Sequence, residues 1–472
     1  MRSPVFYNTL GRTVGPLETT VPGEVRMYTC GPTVYNTAHI GNLRTFLFED
    51  VLRRSLQFLG WQVEQVMNLT DVDDKTIDGA ASAGISLSEF TQPFIDSFFD
   101  DLDRLHIQRA EHYPRATEHI AEMVELVQAL VEKGYAYESD GSVFFRIGED
   151  VDYGKLSGFD LSQVRQGERV ASDDYDKEDV RDFVLWKGAK EGEPAWDSPW
   201  GPGRPGWHLE CSAMGMKYLG ETFDIHCGGV DNIFPHHENE IAQSESATGK
   251  PFVHTWIHAE HLIVDGEKMS KSLGNFYTLQ DLVDRGADLR ALRYQLLSVH
   301  YRKKLNFTFD GLADAGAALK RLDEMRFRLQ HAVEGKAEGE SAIGPACERL
   351  MQEFGDALAN DLNTSEALAA LFGFVREVNQ AIDGEALKVG DRRRVLDALA
   401  RVDEVLGVLD ADRWRAAELD GLSDDEIDGL LVERREARES RDFARADEIR
   451  DQLTDQGIVL EDTPTGTRWK RQ

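Results

Sequence analysis

The chain has 472 residues, enough for several domains with ordinary buried cores, and it carries 85 acidic against 53 basic side chains, a formal net charge of −32. A surface of that sign repels polyanions, which excludes a protein that binds nucleic acid over its whole surface. Four scattered cysteines exclude a disulfide framework, so reduced thiols are expected.

The net charge and the N-terminus also bear on the compartment. Molar salt shortens the Debye length to about 3 Å and removes most self-repulsion, so we expect a salt-loving cytoplasm and a halophilic source. The first residues lack the apolar core of a signal peptide, and no apolar run approaches the length that a bilayer requires. The sequence therefore predicts a cytoplasmic protein with no membrane partner, and we expect a monomer.

The first part of the chain alternates strand and helix patterns. After an extended lead-in, the apolar spacing predicts a strand at 25–29, a helix at 42–59, a strand at 61–69 and a helix after the acidic turn 71–75. This order predicts a parallel sheet, whose ligands bind where strands end and helices begin.

The pattern changes over residues 110–202. A helix is predicted at 116–133 and an alternating strand at 142–147, and a polar, loop-rich stretch covers 163–178. We interpret the segment as an insertion that divides a sheet domain.

Sheet character then returns. A strand over 223–230 ends in a glycine turn and is followed by a helix at 236–246, and a strand at 261–264 leads into the loop 265–275. This segment is predicted to complete the sheet domain.

Beyond residue 310 the strand patterns stop. Four segments with apolar residues at helical spacing predict a helical bundle: 313–333, 346–358, 365–382 and 392–409. After an acidic linker, a charged helix pair at 424–438 and 443–456 and the apolar stretch 457–460 predict a small final domain.

Residues 30–42 combine a strand end, a Gly-Pro turn and a helix start. The first N–H groups of a helix lack partners within the helix, and the helix dipole is positive there, so phosphate can bind near Cys30 and His39. A histidine that only caps or packs is the alternative.

A second group of residues has the composition of a metal site. His236 and Glu240 are four residues apart, so both can reach one ion from one helix face, and Cys211 supplies a thiolate. His237 or Glu238 would serve from a different face, and a merely polar helix face is the simpler interpretation. Cys227 is predicted to be a structural thiol in a strand.

Two lysines mark a third site. Lys268 and Lys271 stand three apart on a Gly/Ser-rich loop, where flexible cations can close over a polyphosphate and release it again. A solvated surface loop is the alternative, but the order Lys-Met-Ser-Lys-Ser favours the phosphate site.

Six stretches together resemble the motifs of the class I cysteinyl-tRNA synthetases, in the family's order and over essentially the full chain. They are residues 29–35, 68–75, 196–201, 203–213, 234–243 and 268–272. The resemblance implies ATP-dependent activation of L-cysteine, with ATP as substrate together with Mg²⁺, and transfer of the cysteinyl group to tRNA(Cys).

The resemblance also assigns roles to residues. It makes Cys30, Cys211, His236 and Glu240 the ligands of one Zn²⁺. The residues that it places against ATP or the reacting phosphates are His39, Gly41, Asn42, Gly229, Asp231, Lys268 and Lys271. It places Thr70 and Trp207 in the amino-acid pocket.

Asn42 departs from the family pattern, because many synthetases carry a second histidine there. An asparagine amide donates a hydrogen bond but cannot become a cation. We therefore expect Asn42 to act by hydrogen bonding, while the lysine loop supplies more of the positive charge.

Zinc has a physical purpose in this interpretation. Pocket fit alone separates similar substrates such as cysteine and serine by only about 1–3 kcal/mol. A zinc ion that selects a thiolate over a hydroxyl discriminates better, so no editing domain is expected.

The implied fold class is α/β: a Rossmann-type parallel-sheet catalytic domain split by an insertion, followed by an α-helical bundle and a small C-terminal domain. The expected parts are the first catalytic half (1–109), the connective insertion (110–202), the second catalytic half with the lysine loop (203–309), the tRNA-binding bundle (310–409), and a linker with the anticodon-binding domain (410–472).

The tRNA partner conflicts with a net charge of −32 unless the cations are local. Nine of them concentrate in the last unit: Arg434, Arg435, Arg438, Arg441, Arg445, Arg450, Arg468, Lys470 and Arg471. Pairing with neighbouring acidic residues is the alternative and is expected for about half of them.

Two other functions fit the same motifs. A ligase that joins activated cysteine to an amino sugar would share the catalytic core, but it would not need the C-terminal domains. An inactive RNA-binding relative would not need intact His39, Lys268 and Lys271.

Overall fold

The computed structural model describes residues 2–158, 182–335, 341, 343–416, 424–440, 442–455, 458–463 and 466–471. The chain forms two compact units, Met1–Asp410 and Ala411–Gln472, and each is described by itself. The polar stretch predicted at 163–178 lies outside the described residues, as does Arg441.

The elements are numbered in chain order. The strands are β1 Val5–Asn8, β2 Thr13–Pro16, β3 Glu24–Thr29, β4 Gln62–Met67, β5 Ala136–Ser139, β6 Ser142–Phe145, β7 Phe183–Gly188, β8 Gly203–Pro205, β9 Phe223–Gly229, β10 Val253–Ala259, β11 Leu262–Val264, β12 Glu267–Lys268, β13 Leu305–Phe307, β14 Ile458–Thr463 and β15 Gly466–Arg471. The helices are α1 Ile40–Phe58, α2 Asp74–Ala83, α3 Leu87–Arg104, α4 Ile120–Glu132, α5 Trp207–Leu219, α6 Glu238–Thr248, α7 Leu279–Val283, α8 Leu289–Leu297, α9 Phe309–His331, α10 Ile343–Ala359, α11 Thr364–Asp383, α12 Asp391–Leu406, α13 Ala411–Ala416, α14 Asp424–Glu439 and α15 Phe443–Asp455.

The centre of the first unit is a four-stranded sheet in the order β10-β9-β3-β4, with every pair parallel. The predicted parallel sheet is thus confirmed. Every residue of β9 is buried, as expected for a parallel strand covered on both faces. Thr29 pairs with Cys227, so β3 and β9 end side by side at the edge where ligands bind in such sheets.

The segment after α3 carries a sheet of its own. Strands β5, β6, β7 and β8 pair antiparallel in that order. Phe145 and Trp186 of this sheet share one hydrophobic core with Leu126 of α4, with Phe223 of β9 and with Phe252, which precedes β10. This segment therefore packs directly on the central sheet.

The N-terminal residues, predicted as an extended lead-in, contain the hairpin β1–β2. The hairpin is fixed to β10 through Asn8, whose amide donates to the carbonyl of His254 and accepts from the N–H of Trp256. The lead-in is thus part of the packed structure.

Helices α9 to α12 form the predicted bundle, and α12 ends at a cluster that we call the arginine clamp: Arg54, Arg290, Arg293 and Arg326. Its guanidinium groups donate to the carbonyls of Glu404, Val408, Leu406 and Leu409 respectively. Free carbonyls at a helix end need donors, and cations also suit the negative end of the helix dipole.

Arg293 ties this clamp to the helix that starts at the candidate site. It is fully buried, and it donates at 2.7 Å to Asp50 of α1 and at 2.8 Å to the carbonyl of Leu105. Asp50 also accepts from Arg54 at 2.8 Å. Burial alone would raise the pKa of Asp50, but the two arginines hold it below its usual value.

The second unit contains α14, α15 and the antiparallel hairpin β14–β15. Ile427, Ile449, Leu453 and Ile458 form its small core. The hairpin corrects the expectation that strands stop beyond residue 310, because the sequence indicated only an apolar stretch at 457–460. Among the described helices, none has the length and apolar content to cross a bilayer.

Candidate functional site

The candidate site lies at the carboxyl ends of β3, β4 and β9. Cys30 directly follows β3, Thr70 lies three residues beyond β4, and Gly229 ends β9 just before Asp231. Three sequence-predicted segments, far apart in the chain, are thereby brought to one edge of the sheet.

The structure brings Cys30, Cys211, His236 and Glu240 together, with one ligand atom from each within 4.8 Å of all the others. Nε2 of His236 lies 3.5 Å from the Cys211 sulfur and 3.1 Å from Oε1 of Glu240. Cys211, His236 and Glu240 are buried. The group can therefore present two thiols, an imidazole and a carboxylate to one ion.

A second group shares two of these residues. Cys30, His226, His237 and Glu240 satisfy the same 4.8 Å condition. Nε2 of His237 lies 3.2 Å from the Cys30 sulfur, and Nε2 of His226 lies 3.0 Å from Oε2 of Glu240. His237, the alternative considered from the sequence, is therefore also within reach of a shared ion.

Glu238, the other alternative metal ligand considered from the sequence, belongs to neither group and binds backbone N–H groups instead. Its carboxylate accepts hydrogen bonds from the N–H groups of Gly154, Leu156 and Ser157, and so anchors the segment after β6. Cys227 is fully buried within β9 and belongs to neither group, as a structural thiol would.

Five histidines lie in or beside the two groups: His226, His236, His237 and His258 are buried, and His208 is half-buried. Three of them, His208, His226 and His258, were not singled out from the sequence. Nδ1 of His208 lies 2.9 Å from Nδ1 of His236, and Nδ1 of His237 lies 2.8 Å from Nε2 of His258. Burial lowers the pKa of His208, His226 and His258 to about 3, so these rings are neutral near pH 7. The available signal for His226 and His258 was a histidine within a strand, β9 and β10 respectively, whereas His208 lies in helix α5.

The donor set fits a divalent cation. Burial raises the pKa of Glu240 and Cys211, and a hydrogen bond to Cys211 together with burial raises that of Cys30. Oε1 of Glu240 is buried and accepts no hydrogen bond from the described residues. Such ligand atoms lack a counter-charge, which a divalent cation would supply. Of the two groups, the one with two cysteines is the softer and the more suitable for zinc.

The start of α1 holds His39 and Asn42 in reciprocal hydrogen bonds. Nδ1 of His39 accepts from the N–H groups of Gly41 at 3.1 Å and Asn42 at 3.3 Å. Oδ1 of Asn42 accepts from the N–H of His39 at 3.1 Å. Because Nδ1 is an acceptor, the ring proton of neutral His39 sits on Nε2, where it can donate to a ligand. Burial lowers the pKa of His39.

The lysine loop lies against this helix start. The N–H of Ile40 donates to the carbonyl of Tyr277 at 2.9 Å, and the rings of His39 and Phe276 meet edge to face at 4.9 Å. A side chain at Gly41 would come within 2.7 Å of Met269. Lys268 and Lys271 are exposed on the same loop.

Gly229 and Asp231 also come to this edge. A Cβ on Gly229 would approach Oδ1 of Asp231 to 2.3 Å, so the carboxylate requires a glycine there. The charge of Asp231 acts to raise the pKa of His39, which places the two side chains in one electrostatic neighbourhood.

Thr70 and Trp207 flank the metal-like groups. The hydroxyl of Thr70 donates to Glu210 at 2.8 Å, and Glu210 directly precedes Cys211. Trp207 is 40% exposed and stacks on His236 with ring centroids 4.3 Å apart. An exposed indole over a buried imidazole is suited to form one wall of a pocket.

The basic side chains of the second unit differ in ion pairing and in burial. Arg445 pairs with Glu433 and Glu448, Arg450 lies 3.6 Å from Asp451, and Arg434 is buried. Arg435 and Arg438 are exposed. The side chains of Arg441, Arg468, Lys470 and Arg471 lie outside the described residues.

Comparison with protein families divides the chain into three matched segments. Residues 16–317 match the family described as the class I (C) tRNA synthetase catalytic domain. Residues 353–410 match the DALR domain, and residues 420–469 match the cysteinyl-tRNA ligase anticodon binding domain.

Curated relatives match the chain over nearly its whole length. The cysteine–tRNA ligase of Solibacter usitatus is 52% identical over 468 residues, covering 99% of both chains. That of Protochlamydia amoebophila is 48% identical over 474 residues, covering 99% of this chain and 98% of the relative.

Solved structures agree on the fold. A Mycobacterium tuberculosis methionyl-tRNA synthetase in complex with methionyl-adenylate has a TM-score of 0.57 at 15% identity, covering 82% of this chain and 90% of the other. An Agrobacterium radiobacter LeuRS in a ternary complex has a TM-score of 0.60 at 12% identity, covering 86% of both chains. At these identities the likeness concerns the class I synthetase fold alone.

Proposed function

The chain belongs to the cysteine–tRNA ligase family of class I aminoacyl-tRNA synthetases, and from this membership we propose how its residues carry out the reaction. In the proposed reaction the carboxylate of L-cysteine attacks the α-phosphate of ATP, and pyrophosphate leaves. The cysteinyl group of the adenylate then passes to the 3′ end of tRNA(Cys), and AMP is released. The observation that carries this proposal is the convergence of the Cys30 turn, the Cys211 helix and the His39 helix start at one sheet edge.

In this proposal, the start of α1 and the lysine loop activate ATP. Nε2–H of His39 and the amide of Asn42 donate to phosphate oxygens beside the free N–H groups of α1. Lys268 and Lys271, with Mg²⁺, offset the negative charge that develops as pyrophosphate leaves. Gly41 lets the phosphates approach the backbone, and Gly229 and Asp231 hold the ribose.

Zinc is proposed to be held by Cys30, Cys211, His236 and Glu240, one ion per chain. When bound, it supplies a soft Lewis acid that selects a thiolate over the hydroxyl of serine. His208 holds the far nitrogen of His236, as outer partners of metal-bound histidines do. Trp207 and Thr70 line the space that the amino acid occupies.

The remaining proposals concern the segments that contact tRNA and the cellular environment of the protein. We propose that residues 110–202 connect the two catalytic halves (1–109 and 203–309), that 310–409 contact the tRNA body, and that 410–472 read the anticodon. The exposed Arg435 and Arg438 are the described candidates for phosphate contacts. We also propose that the protein is a monomer in a salt-rich cytoplasm. A surface of net charge −32 repels the polyanionic tRNA unless salt screens that charge.

Cysteine-dependent exchange of pyrophosphate into ATP, followed by charging of tRNA(Cys), tests the proposal. Both activities are expected, with serine giving little exchange. Exchange without charging would favour the amino-sugar ligase, and the absence of both would favour an inactive RNA-binding relative. The match of residues 420–469 to an anticodon-binding family argues against the sugar ligase.

A further inference from the structure

A buried hydrogen-bond chain joins the two segments that carry the candidate cysteine ligands. It begins at Glu210, which is fully buried and whose Oε2 accepts from the Thr70 hydroxyl at 2.8 Å. The amide of Asn68 donates to the same hydroxyl at 3.0 Å, and Oδ1 of Asn68 accepts from the N–H of Gly31 at 2.9 Å. Glu210 is the neighbour of Cys211, and Gly31 is the neighbour of Cys30.

The backbone reinforces this chain. The N–H of Thr70 donates to the carbonyl of Pro32, and the N–H of Val34 donates to the carbonyl of Thr70, both at 3.1 Å. A Cβ on Gly31 would lie 1.7 Å from the carbonyl oxygen of Asn68. The turn after β3 therefore packs on residues 68–70 too closely for any side chain at position 31.

The hydrogen-bond chain also determines whether the Thr70 hydroxyl can donate or accept a further hydrogen bond. Its only proton points to Glu210, and one of its two lone pairs accepts from Asn68. What remains is a lone pair, which can accept but not donate. An amino acid has one group that requires acceptors, its α-ammonium, whereas its carboxylate requires donors.

We propose that Glu210 is a positioning residue for the amino acid: through its hydrogen bond it holds the Thr70 hydroxyl as an acceptor for the α-ammonium of cysteine. This inference rests on the proposed function, because it presupposes that cysteine occupies the space beside Thr70. Oε1 of Glu210 accepts no hydrogen bond from the described residues, so the contact of Glu210 with this corner runs through Oε2.

The test compares Glu210→Ala with Glu210→Gln, which keeps an oxygen for Thr70. Glu49→Gln is the matched control, since Glu49 is equally buried but neither of its oxygens accepts a hydrogen bond from the described residues. The measurements are KM for cysteine and for ATP in pyrophosphate exchange. Two thiol inhibitors are added: cysteamine, which has the ammonium but no carboxylate, and mercaptopropionate, which has the carboxylate but no ammonium.

Glu210→Ala is expected to raise KM for cysteine and the inhibition constant of cysteamine by about tenfold, the size of effect expected on losing a buried hydrogen-bond partner. KM for ATP, the inhibition constant of mercaptopropionate and the zinc content are expected to stay near wild type. Glu210→Gln should restore most of the affinity for cysteine. Should Glu210→Ala not fold, Thr70→Val is expected to give the same selective loss.

Three results would overturn the inference: an unaffected Glu210→Ala or Thr70→Val enzyme, a loss that is equal for both inhibitors, or a Glu210→Gln enzyme as impaired as Glu210→Ala. A wild-type enzyme without cysteine-dependent exchange would instead overturn the proposed function. The two failures are thus distinguishable.

Discussion

His39 and Asn42 cap each other across the first turn of α1: the ring nitrogen Nδ1 accepts from the N–H of Asn42 at 3.3 Å, and the Asn42 amide oxygen accepts from the N–H of His39 at 3.1 Å. The residue that departs from the family pattern thus has a structural role as well as the proposed catalytic one. Variants at Asn42 can separate the two roles.

Asn42→Asp keeps the oxygen that caps His39 but replaces the amide donor by a negative charge beside the phosphates. We expect its thermal stability to match wild type, because an acidic residue suits a helix N-terminus, and its pyrophosphate exchange to fall at least tenfold. Asn42→Ala should lose roughly 0.5–2 kcal/mol of stability with the cap. If Asn42→Asp exchanges pyrophosphate at the wild-type rate, Asn42 acts only as a cap.

The pKa of His39 is expected to lie below its ordinary value of 6.5, because burial disfavours the imidazolium more than its backbone hydrogen bond and Asp231 favour it. The neutral ring then predominates at pH 7, and its contribution to folding stability is lost as pH falls below 6.5, where the unfolded chain takes up the proton. NMR titration of the ring gives the pKa directly. Asp231→Asn should lower it further, and a rise would contradict the placement of Asp231 beside the ring.

Zinc content discriminates between the two candidate ligand groups. Cys211 belongs to one group only, and His226 to the other only. We expect Cys211→Ser to lose zinc affinity by more than about 100-fold, beyond what the loss of an outer partner causes, while His226→Asn loses less. Chelator competition with metal analysis measures both.

Cys227→Ser is the control for this comparison, because Cys227 is a buried thiol in neither group. It should retain one zinc per chain. Retention of zinc by Cys211→Ser together with its loss from His226→Asn would assign the ion to the second group.

Removal of the Arg293 side chain should destabilise the first unit strongly. Arg293→Met leaves the buried Asp50 with one cationic partner fewer and frees the carbonyls of Leu105 and Leu406, a loss of about 3–5 kcal/mol for a broken buried pair. Urea unfolding gives the difference. Arg393→Ala, which breaks an ion pair with side chains 87% and 71% exposed, should cost less than about 1 kcal/mol. Equal losses of stability in Arg293→Met and Arg393→Ala would contradict a stabilising role for the arginine clamp.

Salt should stabilise this protein. Because the net charge of −32 repels itself, chemical unfolding in molar KCl is expected to require more denaturant than unfolding at low salt. Greater stability at low salt would reject the halophilic interpretation.

Sequence patterns alone predicted the structure where a single signal, the spacing of residues along a helix, determined it. The apolar spacing of residues 42–59 predicted α1, and the four-residue interval between His236 and Glu240 predicted that their side chains reach one point. The convergence of Cys30 with Cys211 did not follow from spacing, because the two are 181 positions apart; it came from the resemblance to a family. The ligand group that contains His226 and His237 required coordinates.

Other elements were missed for identifiable reasons. Strand β10 carries two histidines, a threonine and a tryptophan, and a strand buried on both faces shows no alternation of polar and apolar residues. The β1–β2 hairpin has a mostly exposed second strand, so its sequence resembles a loop. Its position depends on Asn8, whose contacts with β10 span more than 240 residues.

The arginine clamp meets the end of α12 through peptide carbonyls. A carbonyl oxygen has no proton to gain or lose between neutral and moderately acidic solution, and a bond from a guanidinium to a neutral dipole is less sensitive to added ions than the attraction between two full charges. In a chain of net charge −32, the arginine clamp therefore holds the end of α12 through contacts that the medium changes little.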